Sequence, residues 1–167
     1  MTGAELLAQL EPLHGPAYGW ALHCCEGDAH AAEDLLQTAY CRVAEGRAEF
    51  GGRSELKTWW FGVVRVVALE QRRRGWWRLE KLRMWFASGG RLSGEDAPYD
   101  PPLHEPLAAA LAQLSARQRE VLHLVFYQDL SVTAAAAAMG ISVGSARQHY
   151  ERAKARLRTI FASHERA

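Results

Sequence analysis

The sequence predicts an all-α protein with two small helical domains joined by a flexible linker, the C-terminal domain carrying a helix-turn-helix. Apolar residues recur every three or four positions along most of the 167 residues, and no segment alternates with the period of two typical of a strand. The segment 88–106 contains three glycines and four prolines, too many breakers for a regular element. We therefore expect an N-terminal domain over 1–87, a linker over 88–106 and a C-terminal domain over 107–167.

The N-terminal domain is expected to hold helices over 6–20, 32–43 and 56–69, where the apolar spacing is clearest. Its charge is unevenly divided. Residues 1–50 carry 2 basic and 8 acidic side chains, whereas residues 51–83 carry 9 basic and 3 acidic ones. This pattern indicates an acidic surface for a basic partner, followed by a basic surface for a polyanion, although ordinary solvated helix faces would produce similar blocks.

The end of this domain combines aromatic and basic side chains. Aromatic rings on which bases stack, set among cations that follow the phosphates, suit single-stranded DNA. Some of the rings must also serve the core, and Trp59 fits either role. The set consists of Trp59, Trp60, Phe61, Arg65, Arg72, Arg73 and Arg74.

The C-terminal domain contains one further periodic stretch, 107–126, and then the helix-turn-helix. An alanine-rich helix opens at Ser131, and a second, basic helix opens at Val143. Gly140 suits the left-handed residue that ends the first helix, and Ser142 suits the N-cap of the second. Turn chemistry and periodicity therefore predict the same motif.

The second helix of this motif has an apolar stripe and a basic remainder. Arg147 and Gln148 lie near its start, where a recognition helix presents side chains to base edges, and their side chains can pair with guanine and adenine. His149 is a weaker candidate, while Arg152 and Lys154 suit phosphates. The apolar stripe consists of Val143, Ala146, Tyr150, Ala153, Leu157 and Ile160.

Other functional classes find little support in the sequence. No apolar run approaches about 18 residues and no signal-peptide pattern opens the chain, so we expect a cytoplasmic protein without membrane insertion. Three cysteines, Cys24, Cys25 and Cys41, favour reduced thiols over a disulfide framework. The adjacent pair lacks the ligand gap of a metal site, and a G-x-S-x-G match around Ser142 lacks the preceding strand of a nucleophile elbow. We expect no catalytic residue, metal or cofactor.

Several short motifs occur in the order and spacing of one family. Each motif alone is weak, but the ordered set covers almost the whole chain. The motifs are Ala32-Glu33-Asp34-Leu35-Leu36-Gln37, Phe50 to Leu56 followed by Lys57-Thr58-Trp59, Ala68-Leu69-Glu70 with Arg72-Arg73-Arg74, Leu114-Ser115-Ala116-Arg117-Gln118-Arg119-Glu120-Val121-Leu122, Leu130-Ser131, and Gly140-Ile141-Ser142-Val143-Gly144-Ser145. The sequence resembles the extracytoplasmic-function (ECF) sigma factors, compact two-domain initiation factors of bacterial transcription.

The resemblance implies roles for three groups of residues. Docking on a basic coiled-coil of core RNA polymerase is implied for Asp34, Leu35 and Gln37, although helix spacing alone more often places a residue such as Leu35 in the core. Melting of the downstream promoter element is implied for Trp59, Trp60, Arg65, Arg72, Arg73 and Arg74. Recognition of the upstream promoter element is implied for Ser145, Arg147, Gln148, His149, Arg152 and Lys154. An anti-sigma protein is implied as a further partner.

Some residues depart from the family pattern. Val66 stands where an asparagine is usual and Gly62 where an arginine is usual, so base capture is expected to differ. Val125 replaces an arginine often found before the first helix of the C-terminal motif, and alanines replace acidic residues within that helix. No role is assigned to the aromatic side chains of Trp76, Trp77, Trp85 and Phe86.

Two other interpretations remain open. A stand-alone DNA-binding regulator would use the same helix-turn-helix, usually as a dimer on a palindromic site. It leaves the acidic helix and the aromatic and basic segment without a purpose. A sigma-like interaction protein that has lost promoter melting is compatible with Val66 and Gly62.

Overall fold

The computed structural model describes residues 3–86 and 105–164, with side chains described for 3–75 and 107–162. These parts consist of helices and loops without a β-strand, which confirms the all-α prediction. Among the described helices, none combines the length and the apolar character that a bilayer crossing requires. Most of the predicted linker lies outside the described residues, as do the side chains of Trp76, Trp77, Trp85 and Phe86.

The helices follow one another with short connections. The N-terminal half consists of α1 (Gly3–Leu10), a 3-10 turn (Glu11–Leu13), α2 (His14–Cys24), α3 (Ala29–Ala44) and α4 (Leu56–Phe86). The last of these runs well beyond the end predicted at residue 69. The C-terminal half consists of α5 (Glu105–Ala112), α6 (Ala116–Leu122), a π-helical turn (His123–Tyr127), α7 (Val132–Met139) and α8 (Val143–His164).

Two of the predicted helices are interrupted. The prediction of one helix over 6–20 is wrong, because Pro12 lies in the 3-10 turn that separates α1 from α2. The predicted helix over 107–126 is also wrong, because it is broken at Ser115. There the Gln118 amide N–H donates to the Ser115 hydroxyl at 3.3 Å, and the Ser115 N–H donates to the Gln118 side chain at 3.0 Å. This capping box starts α6 as a separate helix.

The helix-turn-helix follows the predicted turn chemistry. Ser131 caps α7 by accepting a hydrogen bond from the Ala134 N–H at 3.1 Å, and Gly140 ends α7 with a φ of 63°. Ser142 caps α8 by accepting from the Ser145 N–H at 3.1 Å. The predicted turn is confirmed, and it fixes where α8 begins.

The two halves of the chain share one hydrophobic core. The N-terminal half packs as a bundle of α2, α3 and α4, and α4 also packs along α7. A smaller cluster of Leu114, Leu122 and Ala153 ties α6 to α8. The largest fully buried side chains of the shared core are Leu10, Trp20, Leu35, Trp60 and Phe61 from the first half and Val121, Leu124 and Met139 from the second. The two helical domains are therefore folded against each other.

Candidate nucleic-acid interface

Helix α8 has one side that packs against the rest of the protein and another side that is exposed and basic. Ala146 and Ala153 on the predicted apolar stripe are fully buried, although Val143 at its start is 37% exposed. On the other side Arg147, Gln148 and Arg152 are exposed. Within the described residues, Arg147 and Arg152 form no ion pair, so their guanidinium groups are available to a polyanion. The caps at both helices of the motif hold this basic side in a fixed position.

The remaining predicted α8 residues are partly engaged within the chain. The Ser145 hydroxyl accepts a hydrogen bond from the Ser142 hydroxyl at 2.9 Å. Lys154 pairs with Glu151 at 2.8 Å and lies 4.3 Å from the centroid of the Tyr150 ring. His149 is half-buried. Arg147 and Gln148 are therefore the freest candidates for reading bases.

One side of α4 carries the outward part of the aromatic and basic segment. Trp59, Gly62, Val66 and Arg73 follow one another at helical spacing and share this side. Val66 is 49% exposed, Arg73 is exposed and Trp59 is half-buried. We call these four residues the outer α4 face. It presents one indole ring and one guanidinium, and the exposed Val66 between them has no hydrogen-bonding group in its side chain.

Trp60 does not lie on the outer α4 face. Its side chain is fully buried, and its ring centroid is 4.8 Å from that of Tyr40 on α3. In the described residues its indole nitrogen has no hydrogen-bond partner. The expectation that bases stack on Trp60 is not met in this conformation, because a one-residue step along a helix turns a side chain by about 100°.

Arg65 is also withdrawn from solvent. Its side chain is 8% exposed, and its Nε and Nη2 atoms donate to the two carboxylate oxygens of Glu120 at 3.0 and 3.3 Å. Arg117 donates to the same carboxylate at 3.2 Å. A phosphate cannot reach Arg65 in this conformation, so the structure corrects its expected position from the surface to the contact between the two domains.

The arginine cluster 72–74 divides into one paired and two available side chains. Arg72 donates to Glu26 at 3.1 Å and to the Cys24 carbonyl at 3.2 Å. Arg73 and Arg74 are exposed and form no ion pair within the described residues. They help Arg42, which donates to Glu70, to hold the pKa of the Glu70 carboxyl below its usual value. Arg74 thus adds a second available guanidinium next to Arg73 of the outer α4 face.

The acidic helix α3 presents two of its three predicted docking residues. Asp34 and Gln37 lie on the exposed side, one turn apart. Leu35 is instead fully buried in the shared core. The docking role implied for it is therefore corrected to a structural role, in which Leu35 packs α3 against the core. A basic partner would therefore meet polar side chains at this surface.

A pair of histidines that sequence reasoning missed lies between the two halves. His23 on α2 stacks on His123 of the π-helical turn with 4.4 Å between ring centroids, and Trp20 lies 5.3 Å from each ring. Burial lowers the pKa of His23 to about 4 and that of His123 to about 3. Both rings are therefore neutral at pH 7. No local pattern could have paired residues so far apart in the sequence.

Two cysteines lie close to the same contact. Burial raises the pKa of the Cys24 thiol well above its usual value and that of Cys25 to about 11. Both are protonated thiols at neutral pH, while Cys41 is exposed. The described residues contain no cluster of side chains suited to a metal ion.

The fold and the paired regions define a sigma-70-type factor. Residues 10–78 match the family described as Sigma-70 region 2, and residues 104–157 match Sigma-70, region 4. The RNA polymerase sigma-E factor of Streptomyces antibioticus is 33% identical over 130 residues, which cover 76% of this chain and 68% of that protein. The chain belongs to the ECF RNA polymerase sigma factor family.

Two further comparisons extend this result. The ECF RNA polymerase sigma factor SigX of Bacillus subtilis is 32% identical over 126 residues, covering 69% of this chain and 62% of that protein. The match thus spans less than two thirds of the length of SigX. Among solved structures, the sigma factor RpoE in complex with the anti-sigma factor NepR from Bartonella quintana has a TM-score of 0.68. The two chains are 24% identical, with 95% of this chain and 97% of that chain covered, so this likeness concerns the fold.

Proposed function

We propose that this chain binds core RNA polymerase, directs it to promoters and helps to open them. The observation that carries the proposal is the geometry of α8, where Arg147 and Gln148 are exposed at the start of a capped recognition helix. Arginine and glutamine are the side chains that read guanine and adenine bidentately in the major groove. We assign the upstream promoter element to this helix.

The other two interfaces belong to the N-terminal half. Asp34 and Gln37 on α3 form the polar docking surface for polymerase, in the most acidic part of the chain. The outer α4 face, continued by Arg74, takes the downstream element as single-stranded DNA, with Trp59 as the stacking ring. Arg65 cannot reach DNA unless the two domains separate, and Trp60 cannot reach it while its ring is packed against Tyr40 of α3.

The proposed role is that of a non-enzymatic factor. The chain contributes binding surfaces, and the catalysis of RNA synthesis stays with polymerase, in the cytoplasm. Since RpoE of Bartonella quintana was solved with an anti-sigma factor, we propose that a comparable regulator binds this chain and prevents polymerase docking.

Run-off transcription with core polymerase and a promoter library tests the proposal. We expect transcripts that depend on the added protein and share an upstream and a downstream element. A variant with Asp34→Lys and Gln37→Ala should bind core polymerase more weakly, whereas Glu49→Lys in the exposed loop changes the charge equally and serves as the control. Failure of the wild-type chain to bind core polymerase would favour a stand-alone DNA-binding regulator.

A further inference from the structure

We propose that Glu151 of α8 is a further base-reading residue, which selects a cytosine in the upstream promoter element beside the bases contacted by Arg147 and Gln148. This role rests on the proposed function, because it requires duplex DNA to meet the exposed side of α8. It adds to that function the identity of one base. The observations that carry it are the position of the Glu151 carboxylate, the contacts that hold it and the chemistry of the base edges.

Glu151 lies on the reading side of α8. It follows Arg147 by four residues and Gln148 by three, and each residue of a helix turns the side chain by about 100°. The Glu151 side chain therefore points between the other two, about 6 Å further along the helix axis than Arg147. It is 59% exposed. Arg152, by contrast, lies about 140° around the helix from Arg147, toward the edge of this side.

A carboxylate at this position opposes DNA binding unless it has a partner on the DNA. The sequence of α8 contains five lysine and arginine side chains, and Glu151 is its one acidic residue. Phosphates repel a carboxylate, so Glu151 weakens the attraction that its basic neighbours supply to any duplex. A group of this kind is useful where it selects, because it penalises the wrong base more than the right one.

Local contacts hold the carboxylate on this side without burying it. The Lys154 ammonium pairs with Glu151 at 2.8 Å and lies 4.3 Å from the centroid of the Tyr150 ring, which packs against Phe126. The ion pair partly neutralises the carboxylate and so lowers the cost of bringing it close to phosphates. Because Glu151 is largely exposed, the pair is weak enough for a base donor to share the carboxylate.

Cytosine is the base whose major-groove edge fits a carboxylate. It presents the N4 amino group as a donor, whereas guanine presents the N7 and O6 acceptors and thymine presents the O4 acceptor. Adenine donates through N6, but its N7 acceptor repels the second carboxylate oxygen and suits an amide such as that of Gln148. Glu151 therefore selects cytosine over the other three bases.

Selection from a random duplex library tests this role with the full chain and without polymerase. Wild type should select a site with cytosine at one position, and Glu151→Ala should select the same site with that position relaxed. At this position wild type should prefer cytosine about tenfold, and the variant less than about twofold. Because Glu151→Ala removes a negative charge, it should also bind mismatched duplexes more tightly than wild type does.

Asp129→Asn is the matched control. It removes one carboxylate from an exposed position in the loop before α7 and leaves α8 unchanged. Asparagine tolerates the left-handed conformation of this residue, whose φ is 53°. The control should keep the wild-type preference at every position of the site, including the cytosine.

A modified base separates a direct contact from a general effect of charge. N4-methylcytosine still pairs with guanine, but its methyl group replaces the N4 hydrogen that faces the major groove. 5-Methylcytosine keeps that hydrogen and controls for the added methyl group. By fluorescence anisotropy, wild type should bind the N4-methyl duplex about tenfold more weakly than the unmodified or 5-methyl duplex. Glu151→Ala should bind the N4-methyl and unmodified duplexes equally.

The possible outcomes separate this role from the proposed function. If Glu151→Ala relaxes no position, or relaxes one that is not cytosine, Glu151 does not read cytosine and the proposed function stands. Equal wild-type binding to the N4-methyl and unmodified duplexes would have the same meaning. A wild-type chain that selects no sequence would overturn both this role and the assignment of the upstream element to α8. Failure to bind polymerase would count against the proposed function alone.

Discussion

Arg147 and Arg152 are both exposed on α8, yet their positions predict different roles. Arg147 lies near the helix start, where side chains reach base edges, and Arg152 lies more than a turn later, where they reach phosphates. A base contact changes which sequence is preferred, whereas a phosphate contact strengthens binding to every sequence.

Arg147→Ala should therefore weaken discrimination at one base pair by about 1–3 kcal/mol. Arg152→Ala should weaken binding uniformly and reduce the salt dependence by about one phosphate contact. Fluorescence anisotropy with a selected duplex and its single-base variants, at several salt concentrations, measures both effects. Equal losses on all duplexes for both variants would remove the distinction.

At the scale of single residues, sequence reasoning found the helices more reliably than the direction of each side chain. The family resemblance implied binding roles for Trp60, Arg65 and Leu35, and all three side chains are buried. Periodicity places a residue on one side of a helix, but it cannot say what packs against that side. Arg65 pairs with Glu120 of the other domain, and no local sequence pattern predicts a contact between residues so far apart in the chain.

The helix-turn-helix shows how far short-range chemistry determines an element. Ser131, Gly140 and Ser142 act within a few residues of their partners, so the sequence alone was sufficient to place both helix ends. The break at Ser115 has the same kind of sequence signal, a capping box in which a serine is followed three residues later by Gln118. It was missed because apolar spacing continues across the break. The π-helical turn has no comparable sequence signal.

Ser142→Ala should lower the free energy of unfolding by about 1 kcal/mol, because the first turn of α8 loses its cap. Urea denaturation followed by circular dichroism measures this loss. Ser54→Ala is a suitable control, since the Ser54 hydroxyl donates only to the neighbouring Glu55 carbonyl, and its effect should stay within about 0.5 kcal/mol. An unchanged stability for Ser142→Ala would contradict the capping role.

For the whole molecule, the alternating charge of the sequence indicated separate surfaces but not their arrangement. The acidic α3 and the basic side of α8 are both exposed, as that pattern suggested. The shared core joins residues from distant parts of the chain, such as Trp20 and His123. Such contacts depend on shape and burial after folding, so the packing of the two domains against each other became visible only in three dimensions.

Acid should weaken the contact between the two domains. The pKa values of about 4 for His23 and about 3 for His123 lie below the 6.5 of a solvated histidine, so the packed arrangement favours the neutral rings. The contact is therefore strongest above pH 6.5 and weakens as the pH falls from 6.5 toward 4. Near His23, Glu120 and Glu26 favour the charged form and Arg119 and Arg72 oppose it, but burial is the largest influence.

Lowering the pH below 6.5 should progressively weaken the contact between the two domains, because a ring that takes up a proton is favoured in water over the buried site. Small-angle scattering at pH 7.5, 6.5 and 5.5 should show a growing radius of gyration, and His23→Phe should reduce that growth because one titrating ring is gone. A wild-type radius that stays constant over this range would show that the histidines do not control opening.

The packing of the two domains gives Cys24 and Cys41 different reactivities toward oxidants. Cys41 is exposed, whereas Cys24 lines the cleft between the domains beside Ala116 and Glu120, with its thiol kept protonated by burial. The thiolate is the form of cysteine that reacts with oxidants. Cys24 should therefore resist oxidation for as long as the two domains stay packed together. Oxidation of Cys41 thus reflects only exposure to an oxidant, while oxidation of Cys24 records that a particular molecule had opened.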